Sequence, residues 1–363
     1  MCYKLLAVER NVFSGTLLVS LLLGIVTSAA AANPCKQACR STKSGCAASA
    51  TAAFTNAKTA CRANPAEKRT CLQRARADKA AAKAACKQAF KSCAAGCGGG
   101  GPGPSGNCNA SAAGGWLQAV NLYRAVAGLT PVAEDPALSD GDRKHAQYVV
   151  RNDELSHSED PAKPGYTPEG AAAGSRSNVA AATSATLSET APIDLWMRGP
   201  YHAIGILDPT LATVGFGIAH DDTGGIQSAA ALDVLSGRSA SNSTATYPIL
   251  FPGDGSQVPI DRYDGTERPD PLAQCPGYAA PTGLPLIVQL ADGVTPTVTS
   301  SSFTRDGASV EHCVFAGSPG DSLGNRRAVV LIGREVLRKG STYQASITVG
   351  GQTITWSFAL ACQ

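Results

Sequence analysis

Eight of the thirteen cysteines follow a spacing that reads the same in both directions along the chain. Successive members lie 4, 7, 15, 10, 15, 7 and 4 residues apart, so each has a mirror partner and the two residue numbers always sum to 132. In two antiparallel helices with equal rise per residue, such partners lie at the same height and their thiols can be joined. The spacing predicts four disulfide bonds, namely Cys35–Cys97, Cys39–Cys93, Cys46–Cys86 and Cys61–Cys71.

Metal binding is the alternative chemistry for these thiols. A structural zinc ion needs four ligands around one point, and eight thiols spread along two helices do not provide them. Disulfides persist in oxidising compartments and are rare in the cytosol. The cysteines therefore predict a protein that is secreted or held in the cell envelope.

The N-terminal residues 1–32 agree with export. Lys4 and Arg10 precede an apolar run at residues 17–26, and small residues follow up to Ala32. A basic start, a short apolar stretch and small residues at its end are typical of a cleaved signal peptide. The apolar run is shorter than the ~20 residues that span a bilayer.

The helices that must hold the eight cysteines lie within residues 33–97, which are rich in Ala, Lys and Arg. The segment Asn64-Pro65-Ala66-Glu67 is typical of a helix start, with an N-cap, a proline in the first turn and an acid that reaches back. The residues thus predict a helical hairpin with its turn near 62–65. Because the hairpin has few large apolar residues, it must rely on disulfides, which typically contribute ~2–4 kcal/mol each.

Charge is divided unevenly along the chain. Between residues 33 and 97, 13 Lys and Arg oppose 2 acidic residues, whereas 16 oppose 25 between residues 98 and 363. A basic unit of this kind is attracted to an anionic lipid surface or an anionic envelope polymer. The alternative is a solvated spacer. No stacking aromatic residues interleave with the basic ones, so a dedicated nucleic-acid site is not expected.

A Gly- and Pro-rich linker at residues 98–107 separates the hairpin from a central domain at residues 108–246. Apolar residues recur at helical intervals after residue 116 and again within residues 137–152. Two later runs, at residues 211–220 and 226–236, are typical of strands joined by a turn. This mixture predicts an α+β layer fold.

The central domain carries four stretches in a distinctive order. They are VNLYRAVAGLTPV, ELSHSED with His157, GYTPEGAAAGSRSN with Glu169, and DLWMRGPYHAIGILDPTLATVGFG with His202. Together they span about residues 112–237 and resemble the CAP superfamily, the cysteine-rich secretory and pathogenesis-related proteins, most closely its bacterial secreted branch. The resemblance implies an α-β-α sandwich in which His157, Glu169 and His202 line one cleft, and it implies a small apolar or lipid-like ligand.

In the family that the chain resembles, two histidines and two acids line the cleft. One of the acids is missing here, because Arg198 and Gly199 occupy the positions soon after Trp196 where the second acid normally stands. Two imidazoles and one carboxylate can hold Zn²⁺ with one position open to water, or they can form a hydrogen-bonded network without metal. A metal-assisted hydrolase with Glu169 as general base is the one specific catalytic hypothesis. The single G-x-S-x-G match, at residues 320–324, falls among short β-rich runs and not between a strand and a helix, where a nucleophile elbow stands, so a binding protein is favoured over an enzyme.

The last part of the chain changes in composition. Residues 247–275, rich in Pro, Gly and Asp, are predicted to be an extended connection, and short β-rich runs within residues 276–363 predict a β-sandwich. Alternation of apolar residues predicts that the last two strands bury one face, formed by Tyr343, Ala345, Ile347, Val349, Ile354, Trp356 and Phe358. The sandwich is similar to bacterial immunoglobulin-like modules. Its cysteines are predicted to pair as Cys275–Cys313, with Cys108–Cys362 joining its end to the central domain, although the sequence leaves other pairings open.

The predicted fold class is multidomain α+β: a disulfide-stapled α-helical hairpin, an α-β-α sandwich and a C-terminal β-sandwich. The leading hypothesis is a secreted protein that binds a small apolar or envelope ligand in the cleft and docks to an anionic surface through its basic hairpin. One alternative is a secreted metal-assisted hydrolase that acts on peptide or cell-wall substrates. The other is a structural envelope spacer.

Overall fold

The computed structural model describes residues 114–239 and 245–361, a helix at Lys68–Gly96, and eight positions between residues 47 and 62. The chain divides into two compact units, Met1–Pro102 and Gly103–Gln363. This division falls inside the stretch predicted to be a linker. The predicted signal peptide lies outside the described residues.

The N-terminal unit is described mainly by its long helix, α1 (Lys68–Gly96). The eight described positions before residue 63 are also helical, and Cys61 is bonded to Cys71 of α1, with the two Cα atoms 5.6 Å apart. This is one of the four disulfides that the spacing predicts. The pairs Cys35–Cys97, Cys39–Cys93 and Cys46–Cys86 involve side chains outside the description. No helix within the described ranges is long and apolar enough to cross a membrane.

A four-stranded sheet with helices on both faces forms the central part of the second unit. The strand order is β1-β3-β4-β2, in which β1 and β3 are parallel and the other neighbours are antiparallel. The elements are α2 (Trp116–Val126), β1 (Ala133–Glu134), α3 (Pro136–Asn152), α4 (Pro168–Gly174), β2 (Ser177–Ala182), α5 (Ala191–Arg198), α6 (Pro200–Ile206), β3 (Thr213–His220) and β4 (Ser228–Asp233).

Helix α3 has a capping residue at each end. The Asp135 side chain accepts a hydrogen bond from the backbone nitrogen of Ala137 at 2.9 Å, and Pro136 occupies the first helical position, where no N–H is needed. Beyond the last helical residue, Asp153 takes a left-handed backbone conformation with φ of 53°.

Strand β3 shows how both faces of the sheet are covered. Phe216 joins the larger hydrophobic core with α2, α5 and α6, whereas Ala219, on the opposite face, packs against α3. Gly217 shares the face of Ala219, and a Cβ at this position would overlap the backbone of Arg143 in α3. The glycine therefore allows the close approach of α3 to the sheet.

Two further sheets make up the C-terminal part, with strand orders β11-β10-β14-β15-β6 and β12-β13-β9-β5, while β7 and β8 pair separately. The alternating side chains predicted to face inward are all buried: Tyr343, Ala345, Ile347, Val349, Ile354, Trp356 and Phe358. The strands are β5 (Ile249–Phe251), β6 (Ser256–Val258), β7 (Arg262–Tyr263), β8 (Thr282–Gly283), β9 (Leu286–Gln289), β10 (Val298–Arg305), β11 (Ala308–Ser309), β12 (His312–Ala316), β13 (Ala328–Gly333), β14 (Thr342–Val349) and β15 (Gln352–Leu360).

The segment 247–275, predicted to be an extended connection, supplies strands to both sheets. Strand β5 pairs with β9, and β6 runs parallel to β15. The sheets therefore begin at Ile249 rather than after residue 275. Cys275 is bonded to Cys313, the pair that the sequence predicts, with the Cα atoms 5.8 Å apart. The predicted Cys108–Cys362 pair lies outside the described residues.

The central part and the C-terminal sheets share one hydrophobic core. The ring of Tyr123 in α2 meets the ring of Phe251 in β5 edge-on, with centroids 6.2 Å apart. Arg124 is fully buried and donates hydrogen bonds to the carbonyl oxygens of Ile206 and Asp208 at 2.7 and 2.8 Å. Its burial lowers the pKa of the guanidinium to about 10. The two parts thus fold as one compact unit.

Candidate functional site

His202 lies in the first turn of α6 and is paired with an acid that the sequence analysis did not identify. Its Nδ1 lies 2.8 Å from Oε1 of Glu267, and the same oxygen accepts a hydrogen bond from the backbone nitrogen of His202 at 2.8 Å. Glu267 belongs to the segment 247–275. The segment predicted to be a connection therefore places a carboxylate beside His202.

The Glu267 carboxylate is buried and only half satisfied. The side chain is 3% exposed, and its Oε2 has no hydrogen-bond partner among the described residues. A buried oxygen without a partner is costly, and it is therefore a place where a ligand or a water gains a strong interaction. The His202 side chain is 20% exposed. When Nδ1 carries the proton toward Glu267, the Nε2 of His202 is left as an acceptor.

The Glu267 carboxylate occupies the space where a side chain at Gly199 would lie. A Cβ built on Gly199 would come within 2.5 Å of Glu267 Oε1. Gly199 is one of the two positions where the resemblance to CAP proteins places the second acid. Glu267 thus brings an acid to this place from a distant point in the sequence, and only a glycine at 199 leaves room for it.

Arg198, the neighbour of Gly199, ties the same segment to α5. Its Nη1 lies 3.3 Å from Oδ1 of Asp261 and 3.5 Å from Oδ2 of Asp264, and it donates to the carbonyl of Arg262 at 3.2 Å. Burial works to raise the pKa of Asp261, but hydrogen bonds from Arg262 and Arg198 outweigh it and hold that pKa below its ordinary value. Arg198 and His202 are therefore two anchors for residues 261–267.

His157 and Glu169 lie at opposite ends of helix α4. His157 is exposed, and its Nδ1 lies 3.0 Å from the carbonyl oxygen of Gly174, the last residue of α4. Glu169 stands in the first turn, where its exposed carboxylate lies 3.4 Å from Nζ of Lys144. A hydrogen bond from its own backbone nitrogen, followed by Lys144, lowers the pKa of Glu169. This carboxylate is therefore a weaker base than an unpaired one.

His157 and His202 are connected through one short stretch of chain. Asn178 in β2 donates its side-chain amide to the backbone carbonyl of His202 at 3.1 Å, and Gly174, four residues earlier, holds His157. This stretch positions both imidazoles relative to the edge of the sheet. That His157, Glu169 and His202 line one cleft stays a prediction.

A fully buried histidine–carboxylate pair escaped the sequence analysis. His145 of α3 places Nδ1 3.0 Å from Glu159 Oε1 and Nε2 2.9 Å from the carbonyl of Ser156. The imidazole lies against Gly174, and the Glu159 carboxylate lies against Gly170. The sequence signal for this pair was the two glycines, which are four residues apart on α4. That spacing puts both on one helix face, where the missing side chains leave room for buried groups.

A bound metal ion needs several donor side chains around one point. Within the ranges that the structure describes, no three His, Cys, Asp or Glu side chains are grouped so that they can hold one. The reason is visible in the pairings, since Glu169 faces Lys144 and His202 faces Glu267. The residues do not fit the zinc site considered from the sequence.

A separate groove of about 440 Å³ opens on the central part. Trp116 stacks on Phe216 along it, with ring centroids 5.1 Å apart, and Ile218 and Pro136 add apolar surface. Neither His157, Glu169 nor His202 lines this groove. No sequence motif indicates this groove, because its stacked rings, Trp116 and Phe216, are one hundred residues apart.

The sequence matches one family model and is similar to a solved structure. Residues 117–228 match the Cysteine-rich secretory protein family, abbreviated CAP. An extracellular protein containing an SCP domain from Bacillus anthracis str. Ames aligns with 18% identity over 32% of this chain and 38% of that chain, with a TM-score of 0.26. No curated protein matches. The matched residues include the histidines described above but not Glu267. The match shows that the chain contains a CAP domain at residues 117–228.

Proposed function

We propose that this protein is an exported CAP-domain binding protein. Its cleft beside His202 and Glu267 engages a small apolar or envelope ligand with a polar head group, and its basic N-terminal unit docks to an anionic surface. The observation that carries the proposal is the half-satisfied carboxylate of Glu267, which is buried against His202 while its second oxygen lacks a partner. A ligand hydroxyl or amide N–H that reaches that oxygen can donate to it.

The contacts of His202 support the proposal, because they hold this residue firmly in place. His202 is fixed by Glu267 through both its ring and its backbone nitrogen, and Asn178 holds its carbonyl. Second contacts of this kind fix the orientation of a recognition group before the ligand arrives. The His202 side chain is 20% exposed, which leaves part of it open to a ligand.

The metal-assisted hydrolase is less well supported. Its general base, Glu169, is paired with Lys144 and has a lowered pKa, whereas a base that works near neutral pH needs a raised one. The described residues also provide no three-ligand group for a metal. The pair of His202 and Glu267 resembles the base and orienting acid of a catalytic arrangement. Ser322, the serine of the G-x-S-x-G match, donates its hydroxyl to the backbone carbonyl of Tyr201 at 3.1 Å and not to the imidazole.

The proposal is tested with a fluorescent fatty alcohol, a dansyl-labelled undecanol, as the probe, because its hydroxyl can donate to Glu267. We expect His202→Ala and Glu267→Gln each to weaken binding at least about tenfold, a loss of roughly 1.4 kcal/mol. Glu311→Gln is the matched control, because Glu311 is an exposed acid in a surface pair with Arg334. Circular dichroism verifies the fold of each variant.

Trp116→Ala separates the cleft from the aromatic groove. If binding is lost in Trp116→Ala and retained in His202→Ala, the ligand occupies the groove and the cleft proposal is wrong. Retention of full affinity in both His202→Ala and Glu267→Gln equally contradicts it.

A further inference from the structure

Four basic residues form a row along helix α1. At 100° per residue, Arg69, Arg76, Lys83 and Lys87 lie within about 40° of one another around the helix axis. All four are exposed. Their 18-residue span corresponds to about 27 Å along the axis at 1.5 Å per residue.

The charges of this row have no acidic partner among the described side chains. Across the described ranges, none of the four makes an ion pair with an acidic side chain. Asp78, the one acid in the sequence of α1, is at a position about 180° from Arg69 around the helix. Lys79, at a different angle, is already used, since its Nζ lies 4.5 Å from the ring centroid of Phe54. The row is therefore a linear array of free positive charge.

A shallow depression accompanies the start of the row. A hollow of about 520 Å³ is lined by Lys68, Arg69, Leu72, Gln73 and Arg76. Its lining combines three cations with a side-chain amide, which together offer hydrogen-bond donors to anionic oxygens. One anionic group of a polymer can bind in this depression while the following groups contact the rest of the row.

The row does not suit insertion into a membrane. The exposed positions between and beside the cations are Gln73, Ala80 and Ala84. Helices that lie in a lipid interface bury large apolar side chains such as Trp, Phe or Leu on one face. A small and polar surface between the charges instead allows a narrow partner to lie along the helix.

We propose that this row binds a linear polyanion, a polymer with phosphate or carboxylate groups spaced along its chain. The proposal rests on the docking part of the proposed function and names its partner class. Cations held at a repeat of seven residues, about 10.5 Å, on a straight helix contact successive anionic groups of an extended polymer. Binding releases the counterions of the polymer and therefore weakens as salt rises.

The test uses the full mature protein and linear inorganic polyphosphate as the probe. The row variant combines Arg69→Gln, Arg76→Gln and Lys83→Gln. The matched control combines Lys58→Gln, Arg62→Gln and Arg74→Gln, which removes the same charge from exposed positions of the same unit. Gln has nearly the helix propensity of Lys and Arg, so both variants keep the helices.

We expect the row variant to bind polyphosphate at least about tenfold more weakly than the wild type and to show a shallower dependence of log K on log salt. The control variant should lose less than about threefold. Equal losses in the two variants would show that net charge alone attracts the polymer, and the row assignment would be wrong while docking stands. No binding by the wild type to polyphosphate or to vesicles would overturn the docking role itself.

Vesicles of phosphatidylglycerol and phosphatidylcholine in equal parts distinguish a polymer from a membrane. We expect weak vesicle binding that the row variant and the control variant share. Row-dependent binding to vesicles without binding to polyphosphate would overturn the polymer assignment.

Discussion

Glu267 lies over Gly199, with its Oε1 2.5 Å from the point where a Cβ on residue 199 would stand. The two residues are 68 positions apart in the chain. Their contact fixes the segment 261–267 on the CAP domain and supplies an acid to His202.

We expect Gly199→Ala to lower the free energy of unfolding by about 1–3 kcal/mol, because the added methyl group overlaps a buried carboxylate. The backbone of Gly199, with φ of −110° and ψ of 130°, is one that alanine adopts freely, so the loss comes from the overlap alone. Gly224→Ala is the control, because its Cβ would meet neighbours only at 3.4 Å or more. Urea unfolding measures both variants. Equal stabilities would contradict the contact.

The buried acid Asp142 makes stability depend on pH. Burial, with help from nearby Asp233, raises the pKa of Asp142 to about 7. Two hydrogen bonds oppose this shift, since Ser177 Oγ donates to Asp142 Oδ1 at 2.6 Å and the backbone nitrogen of Asp233 donates to Oδ2 at 3.2 Å. The effect of burial on the pKa outweighs both of them.

The free energy of unfolding changes with pH because the folded protein holds the Asp142 proton more tightly than the unfolded chain does. Below the ordinary pKa of about 4, Asp142 is neutral in both states and the full stability is present. As pH rises from about 4 to 7, the unfolded chain releases the proton while the folded protein keeps it, so the free energy of unfolding falls by up to a few kcal/mol. We expect Asp142→Asn, which mimics the neutral acid, to flatten this part of the profile. An unchanged slope in urea unfolding between pH 4 and 7 would contradict the assignment.

Asp208 joins the CAP domain to the C-terminal sheets. It is 1% exposed and pairs with Arg326 and, at 2.6 Å, with Nε of Arg238. We expect Asp208→Asn to lower the free energy of unfolding by about 2–3 kcal/mol, because partly buried guanidinium groups lose their counter-charge. The control is Asp292→Asn, since Asp292 pairs with Arg327 at a 99% exposed position and should cost less than about 0.5 kcal/mol. Similar losses in urea unfolding would show that Asp208 has no special role.

Zinc should bind weakly or not at all at the histidines. His202 is engaged with Glu267 and Glu169 with Lys144, so the protein offers no three-ligand group in its described part. Isothermal titration of Zn²⁺ into the wild type, His157→Ala and His202→Ala measures this. Submicromolar binding that both substitutions abolish would revive the metal-assisted hydrolase.

The disulfide pattern of the N-terminal unit can be read by mass mapping of the unreduced protein. Given the bond between Cys61 and Cys71, we expect the remaining three pairs to follow the same mirror rule, whose residue numbers sum to 132. Those pairs are Cys35–Cys97, Cys39–Cys93 and Cys46–Cys86. Free thiols or other partners would contradict the hairpin, because the rule depends on two helices of equal rise.

Local patterns in the sequence were sufficient for several features. The mirror spacing predicted the bond between Cys61 and Cys71, and alternation along β14 and β15 predicted which side chains are buried. The four CAP stretches predicted the domain that the family model matches. These features depend on residues near one another in the chain or on a fixed repeat, and such information is present in a sequence.

The partner of His202 was decided only by the tertiary structure. Glu267 follows His202 by 65 residues in a Pro- and Gly-rich stretch that carries no motif, and nothing local indicates that its carboxylate folds back over Gly199. In the same way, His157 and Glu169 stand in successive CAP stretches, yet His157 contacts the last residue of α4 and Glu169 lies in its first turn. A sequence states which groups are available, whereas the packing of distant segments in a shared core decides which of them meet.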